Sequence, residues 1–364
     1  MQVTIEKMVY GGAGLARTEQ GVLFVPRTAP GDVVEVEIFN RKKDYSTAHV
    51  TKLLEPSPDR QAPYCPNYET EGCCHWQHIR YDKQLDYKES IIRESLKRVG
   101  HLDWNGEIHR VTGPDRNYRL RATFHVFGRR LGFVNGPIQQ CASLVPELNA
   151  FIPTVDAGNA TEVHALSTPE VVASFVLSGG NIERSKRATI EVDGFHYRVT
   201  ADTFFQANRF LLAPFIKEVA PYAEGHVLEL YSGAGFFSIP IGQRATEVIA
   251  IESNRAAVRQ ARDNAAANKT SSIRFVDGPV DATLRWADLK PDVVVLDPPR
   301  AGCGVKVAEQ IAAMKPKRVV YVSCNPATFA REAGKLGALK RLTLIDQFPN
   351  TYHIELVGIF EQGN

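Results

Sequence analysis

A cysteine, two carboxylates and an arginine lie in three short runs of the last third of this chain: Leu296-Asp297-Pro298-Pro299-Arg300, Ser323-Cys324-Asn325-Pro326 and His353-Ile354-Glu355. Together they offer a nucleophile, a base and a substrate clamp, the set needed to add carbon to a pyrimidine ring. Carbon 5 of uracil is a poor nucleophile. A thiolate that first adds at carbon 6 pushes electron density onto carbon 5, and Cys324 has the right chemistry for that covalent step. The resulting enolate attacks the sulfonium methyl of a donor; a base must then take the proton from carbon 5 so that the thiol can leave by elimination. Glu355 is the candidate base. Asp297 would bond the pyrimidine edge and orient the ring, and Arg300 would steady the loop or a developing oxygen charge. The purely structural alternatives are a buried thiol and a buried Asp-Pro-Pro turn.

Each run follows or interrupts an apolar stretch, Val293 to Leu296, Val319 to Val322 and Ile354 to Ile359, which predicts buried strands with the polar residues at their ends or faces. Open α/β sheets keep their chemistry there. Upstream, a helical pattern from Arg209 to Val219 leads to a strand at His226 to Leu230, the turn Tyr231-Ser232-Gly233-Ala234-Gly235, and a strand at Val248 to Ile251 that ends in Glu252. Strand, glycine-rich turn, helix, strand and acid is the nucleotide-binding βαβ order. Gly233 and Gly235 would let the backbone close under an adenosyl ligand, with Glu252 accepting bonds from both ribose hydroxyls. The turn is shorter than a dinucleotide fingerprint and lacks its last glycine, which favours S-adenosylmethionine over NAD and leaves a plain strand-to-helix turn as the alternative. Asp277, in Phe275-Val276-Asp277-Gly278, is placed near the adenine.

Residues 1–55 alternate apolar and polar positions at Val3 to Ile5, Val22 to Val25, Val33 to Ile38 and Ala48 to Leu54, the pattern of a small closed barrel. Gly11-Gly12-Ala13-Gly14 is read as a tight hairpin, because no helix or Lys-Ser/Thr pair follows it. Pro56, Pro58 and Pro63 mark a linker, and Tyr81 to Val99 reads as one amphipathic helix. Residues 110–200 mix strands, at Ala122 to Phe127 and Phe195 to Val199, with a helix between Val145 and Ile152. The division expected is a barrel at 1–57, a mixed α/β domain at 58–200 whose helix at 81–99 packs on the catalytic domain, and a Rossmann-like α/β catalytic domain at 201–364.

With 44% hydrophobic and 23% charged residues in 364, the chain has ordinary globular composition and can bury two or three cores. It carries no apolar run of the ~20 residues that cross a bilayer and no secretion signal, so a cytoplasmic monomer away from membranes is expected. The net charge of +2 excludes little, but residues 75–130 hold 12 Lys and Arg against 7 Asp and Glu. That stretch is either a phosphate-binding patch or solvated surface. The grouping of Cys65, Cys73, Cys74 and Cys141 suggests metal or catalytic use before disulfides.

With these residues in place, the sequence resembles, over nearly its whole length, the class I S-adenosylmethionine-dependent RNA uracil-5-methyltransferases of bacterial ribosomal and transfer RNA. Gly11 to Arg17, Phe24-Val25-Pro26 and Pro30-Gly31-Asp32 look like the family's TRAM domain, an OB-like RNA-binding barrel. Phe204-Phe205-Gln206-Ala207-Asn208 resembles the motif opening the catalytic domain, in which the glutamine contacts the methyl donor. Leu230 to Gly235, including Tyr231, and Glu252 resemble the cofactor motifs, with Ser232 where the family more often has cysteine. The motifs around Asp297, Cys324 and Glu355 are the specific ones: the family places the nucleophile at the position of Cys324 and the base at that of Glu355. Arg300 after the two prolines, where many amino-group methyltransferases carry an aromatic residue, supports carbon methylation.

The resemblance also implies a 4Fe-4S cluster in members with four cysteines. Cys65, Cys74 and Cys141 match three of those places. Glu71 stands at the remaining one and Cys73 at a position normally glycine, so Cys73 is expected as the substitute ligand, ahead of zinc or no metal. The partner expected is RNA, with the target uracil flipped out or in a loop, and backbone contacts from the barrel and from Arg116, Arg119, Arg121, Arg129 and Arg130. A TRAM domain suggests 23S ribosomal RNA; transfer RNA is the alternative. The rival class is a non-catalytic RNA-binding or ribosome-assembly factor, against which the presence of both Cys324 and Glu355 counts.

Overall fold

The computed structural model describes residues 1–71, 74–168, 171–178, 181–184, 187–284 and 290–362. The chain divides into two compact units, one of Met1–Glu94 with Phe133–Gly136 and Phe348–His353, the other of Ser95–Gly132, Pro137–Gln347 and Ile354–Asn364.

The first unit opens with strands β1 (Gln2–Thr4), β2 (Lys7–Met8), β3 (Gly14–Thr18), β4 (Gly21–Val25), β5 (Val33–Arg41) and β6 (Tyr45–Glu55), in the order β1-β5-β6-β4-β3-β2. The segment between β1 and β2 closes this sheet on itself: Ile5 N donates to the Asp32 carbonyl at 2.9 Å, and Glu6 N to the Leu15 carbonyl at 2.8 Å. Alternation sends Val3, Ile5, Leu23, Val25, Val34 and Val36 inward as the core. The glycine-rich segment is the β2–β3 hairpin turn, with Gly11 and Gly12 at φ of 105° and 93° and Val9 N bonded to the Ala13 carbonyl at 3.0 Å. Helix α1 (Tyr68–Glu71) follows, and then α2 (Tyr81–Arg98), whose residues up to Glu94 belong to this unit. The loop 348–353 belongs to this unit: Trp76 donates its amide to the Asn350 carbonyl and its indole to the Gly12 carbonyl, both at 3.0 Å.

Among the described residues the second unit holds three sheets. Strands β7 (Ile108–Val111), β8 (Arg121–Phe127) and β9 (Arg130–Gly132) precede the short helix α3 (Pro146–Phe151), and then come β10 (Ala160–Ser167), β11 (Val172–Ser178), β12 (Asn181–Arg184), β13 (Ala188–Val192) and β14 (Phe195–Val199). One sheet runs β12-β11-β10-β8-β9, and β13 pairs with β14. Helix α4 (Leu212–Val219) starts three residues later than its pattern suggests, because the Asn208 side chain takes the Phe210 amide at 3.1 Å and holds a turn there.

The remaining elements are β15 (His226–Leu230), α5 (Ser238–Gly242), β16 (Glu247–Glu252), α6 (Arg255–Ala267), β17 (Ile273–Asp277), α7 (Val280–Thr283), β18 (Val293–Leu296), α8 (Val305–Ala313), β19 (Arg318–Ser323), α9 (Pro326–Ala333), β20 (Ala338–Ile345) and β21 (Glu355–Glu361). With β7 they form a sheet in the order β17-β16-β15-β18-β19-β21-β20-β7. From β17 to β19 all neighbours are parallel, and β21 is antiparallel to both β19 and β20. The order reverses between β15 and β18, which opens a crevice at the carboxyl ends of the strands. Val293 to Leu296 are buried throughout, as a strand covered on both faces requires.

Candidate active site

The Tyr231–Gly235 turn, Glu252, Asp277, Asp297, Cys324 and Glu355 all fall on that carboxyl edge. After β15 the backbone turns through left-handed conformations at Tyr231, Gly233 and Gly235, with φ of 63°, 54° and 87°. A Cβ on Gly235 would touch Ala261 of α6 at 3.4 Å, whereas one on Gly233 would meet nothing within 4 Å. Gly235 therefore allows the helix to approach, and Gly233 faces open space where a ligand can lie against the backbone. Glu252, at the end of β16, takes the Gly233 amide on one carboxylate oxygen at 3.0 Å and the Asn254 amide on the other at 2.6 Å. The second oxygen also takes the Ser253 hydroxyl at 3.3 Å, so the oxygen that holds the Gly233 amide is the one with a lone pair left for a ribose hydroxyl. Asp277 is paired in register with Glu252 and receives Arg255 Nε at 3.1 Å.

Cys324 follows β19, and Glu355 begins β21. Ser323 pairs with Leu356, so in an antiparallel ladder the next step sets Cys324 opposite Glu355. Asn325 caps α9 through the Ala327 amide at 3.0 Å and donates its Nδ2 to the Arg300 carbonyl at 3.1 Å, tying the Asp-Pro-Pro-Arg loop to the segment that carries the cysteine.

Carboxylates dominate the electrostatics. Burial pushes Asp297 up to about 7. Glu355 is raised well above the carboxylate range by burial and by the charge of Asp297, with Arg300 opposing. Burial, then Glu355 and Asp297, push the Cys324 thiol up to about 12, again with Arg300 opposing. Cys324, Glu355, Asp297 and Arg300 thus share one electrostatic neighbourhood, and the resting site holds its sulfur as a thiol.

Sequence reasoning missed Glu229. It lies within β15, is 1% exposed, and its Oε2 has no hydrogen-bond partner among the described residues. Burial pushes its carboxyl up to about 8; the charges of Asp297 and Glu252 add to this, and Ser238 opposes it. An acid inside the otherwise apolar run Val227-Leu228-Glu229-Leu230 was the available signal. A ligand bearing positive charge suits this crevice, and S-adenosylmethionine bears it on the sulfur.

Gln206 is buried between Phe205, which packs against Tyr197 and Phe236, and Asn208, whose Nδ2 donates to the Gln347 carbonyl at 3.3 Å. The segment is held by the basic stretch: Leu120 N donates to the Ala207 carbonyl at 2.7 Å and Arg209 N to the Tyr118 carbonyl at 2.9 Å. Phe204 is 65% exposed, with the Arg121 guanidinium 5.6 Å from its ring centre. Arg129 is engaged by Asp156.

Cys65 and Cys74 are buried in the first unit and Cys141 in the second. Cys73 lies outside the described residues. Among the described residues no group of three or more His, Cys, Asp or Glu side chains gathers to hold a metal ion.

A model of the tRNA (uracil-5-)-methyltransferase family matches residues 177–279 and 281–362, and one of the TRAM domain of tRNA (uracil(54)-C(5))-methyltransferase matches residues 1–58. An uncharacterized RNA methyltransferase of Aquifex aeolicus is 32% identical, covering 99% of this chain and 98% of its own length. The 23S rRNA (uracil(1939)-C(5))-methyltransferase RlmD of Vibrio parahaemolyticus is 28% identical over 99% of this chain and 96% of itself. The crystal structure of Pyrococcus abyssi tRNA (uracil-54, C5)-methyltransferase with S-adenosyl-L-homocysteine matches with a TM-score of 0.78 at 26% identity, covering 99% of this chain and all of the other. A Rossmann-like methyltransferase domain with an N-terminal TRAM barrel is thus the shared architecture.

Proposed function

Because the chain belongs to the S-adenosylmethionine-dependent RNA uracil-5-methyltransferases, we propose that it methylates a uridine of 23S ribosomal RNA, with Cys324 as nucleophile and Glu355 as base. The observation that carries this reading is the placement of Cys324 opposite Glu355 at the edge that also bears Asp297 and the Tyr231–Gly235 turn.

S-adenosylmethionine, when bound, supplies an electrophilic methyl group on a positively charged sulfur. Gly233 would admit the donor to the backbone while Gly235 lets α6 pack behind the turn, Glu252 would hold the donor's ribose, and Glu229 would supply a complementary charge; Gln206, Tyr231, Asp277 and Asp297 would complete the pocket. Arg300 is the cation in the neighbourhood that favours the Cys324 thiolate. As the thiolate, the Cys324 sulfur would bond to carbon 6 while the carbon 5–carbon 6 double bond opens to an enolate, and carbon 5 would take the methyl group as its bond to the donor sulfur breaks and leaves a neutral thioether. Glu355, made more basic by burial, then removes the carbon 5 proton and the carbon–sulfur bond breaks, returning the thiolate. Asp297 holds the pyrimidine edge throughout.

The ring reaches Cys324 only when unstacked, at a cost of a few kcal/mol. Exposed Phe204 beside Arg121 offers a stacking face with a cation next to it, which suits a displaced base or its neighbour. The barrel would track the RNA backbone in the cytoplasm. The ribosomal substrate is supported by the likeness to the Vibrio enzyme. The likeness to the Pyrococcus enzyme favours transfer RNA as the second reading, and the barrel does not separate the two, since its model carries a transfer RNA name. Incubation with labelled donor and RNA from cells lacking the gene, followed by nucleoside analysis and site mapping, decides between them. 5-Methyluridine in 23S RNA supports the first reading, in transfer RNA the second, and in neither the non-catalytic alternative.

For the cysteines, the resemblance to family members with four cysteines supports a 4Fe-4S cluster on Cys65, Cys74 and Cys141 with Cys73 as the substitute ligand. The described residues do not assemble such a site, so no step of the reaction is derived from it.

A further inference from the structure

Next to the reactive edge sits a further buried carboxylate, one that the proposed reaction does not use. Glu332, on α9, is wholly buried, and both its oxygens face only donors. Oε2 accepts the Cys303 amide at 3.1 Å, the Cys303 thiol at 3.2 Å and the Tyr321 hydroxyl at 2.6 Å. Oε1 accepts the Gly304 amide at 3.0 Å and Arg331 Nη2 at 2.6 Å. Arg331 also donates to the Ala301 carbonyl at 3.0 Å. Burial alone would push this carboxyl up, but the bonds from Tyr321, Arg331, Cys303 and Gly304 outweigh it and hold the group ionised.

These donors come from three pieces of chain. Cys303 and Gly304 continue the loop of Asp297 and Arg300; Tyr321 lies on β19, three residues before Cys324; Arg331 and Glu332 lie on the helix that starts just after Cys324. Gly302 has φ of 81°, and a Cβ there would run into the Glu332 carboxylate, so the loop is folded tightly around this group. With Asn325 gripping the Arg300 carbonyl, α9 holds the loop at its start and at its end.

We propose that Glu332 is a positioning residue, a single carboxylate that fixes the Asp297–Arg300 loop relative to Cys324 so that the pyrimidine clamp and the nucleophile stay in register. The inference rests on the reading of Cys324 and Asp297 above. A glutamine at this position turns one acceptor into a donor facing donors, whereas aspartate keeps the charge at shorter reach.

The test uses the full-length enzyme, the methyl donor and RNA from cells lacking the gene, comparing Glu332→Gln, Glu332→Asp, Tyr321→Phe and Cys324→Ala. Folded enzyme is counted by thermal melting and by donor binding. Glu332→Gln is expected to lower kcat per folded enzyme about 100-fold with the KM for donor within about threefold, Glu332→Asp to recover about tenfold of that loss, and Tyr321→Phe to lose about tenfold. Wild-type kcat per folded enzyme in both Glu332→Gln and Tyr321→Phe overturns the proposal, whatever their melting temperatures. If Cys324→Ala loses turnover while those two keep it, the positioning claim alone falls; if Cys324→Ala keeps turnover, the reading of the site falls with it.

Discussion

Cys324 directly follows Ser323 and Glu355 directly precedes Leu356, the last pair of an antiparallel ladder inside an otherwise mostly parallel sheet, and the charge of Glu355 acts on the Cys324 thiol. Only because β21 runs against β19 does its first residue reach the edge where β19 ends. The proposed nucleophile and base are thus 31 residues apart in sequence and each next to the last paired residue of its strand, with the charge of Asp297, from the neighbouring β18 loop, acting on both.

That arrangement predicts different failures for the two residues. Cys324→Ala should lower turnover at least about a thousandfold while RNA binding persists. Glu355→Gln should also stop turnover but accumulate a covalent protein–RNA complex that survives denaturing gels, because bond formation precedes proton removal. Absence of any such complex in Glu355→Gln, with turnover lost, would remove Glu355 from the role of base.

The pocket's protonation should change when the donor binds. Glu229 at about 8 and Asp297 at about 7 are partly or largely protonated near neutrality, and a positive sulfur among them favours their charged forms. Donor binding should therefore release protons and tighten between about pH 6 and about pH 8. Calorimetry in two buffers of different ionisation enthalpy reads the release directly. Identical binding enthalpies in both would contradict it.

Glu229 also sets a stability trend. Its carboxyl is raised in the fold, so its contribution is fully present below the unfolded value of 4.5 and is lost as pH rises through about 8. Glu229→Gln cannot ionise, and its Tm relative to wild type should rise between about pH 5 and about pH 8.5, while its donor affinity falls. A Tm difference that stays flat across that range would show that the group is not held neutral.

Iron and acid-labile sulfide, assayed with the visible spectrum of anaerobically purified protein, test the cysteine reading. About four irons per chain, lost in Cys65→Ser, is the expected outcome. Near-zero iron in the wild-type protein would end that proposal.

Much of this site was legible because its residues close apolar runs. Val293 to Leu296 and Val319 to Val322 are strands buried on both faces, and a polar residue directly after such a strand falls on the carboxyl edge. The barrel was legible from alternation, as Val34 and Val36 point inward beside exposed Glu35 and Glu37. Residues 110–200 resisted because their strands pair across long gaps, β8 with β10 and β7 with β20, which no local period encodes. Glu229 lies inside a run that reads as a hydrophobic strand, and the local sequence does not mark Glu332. Each gains its meaning from burial, and burial of a lone carboxylate depends on what the fold brings against it.

The claim at the centre is a transient bond from the Cys324 sulfur to carbon 6 of the target uracil. RNA carrying 5-fluorouridine presents no proton for Glu355 to remove, so after methyl transfer the bond cannot break. Peptide mass spectrometry of enzyme incubated with this RNA and S-adenosylmethionine should find the nucleotide on the peptide containing Cys324. Repeated absence of that adduct, under conditions where unmodified RNA is still converted to 5-methyluridine, would contradict the account.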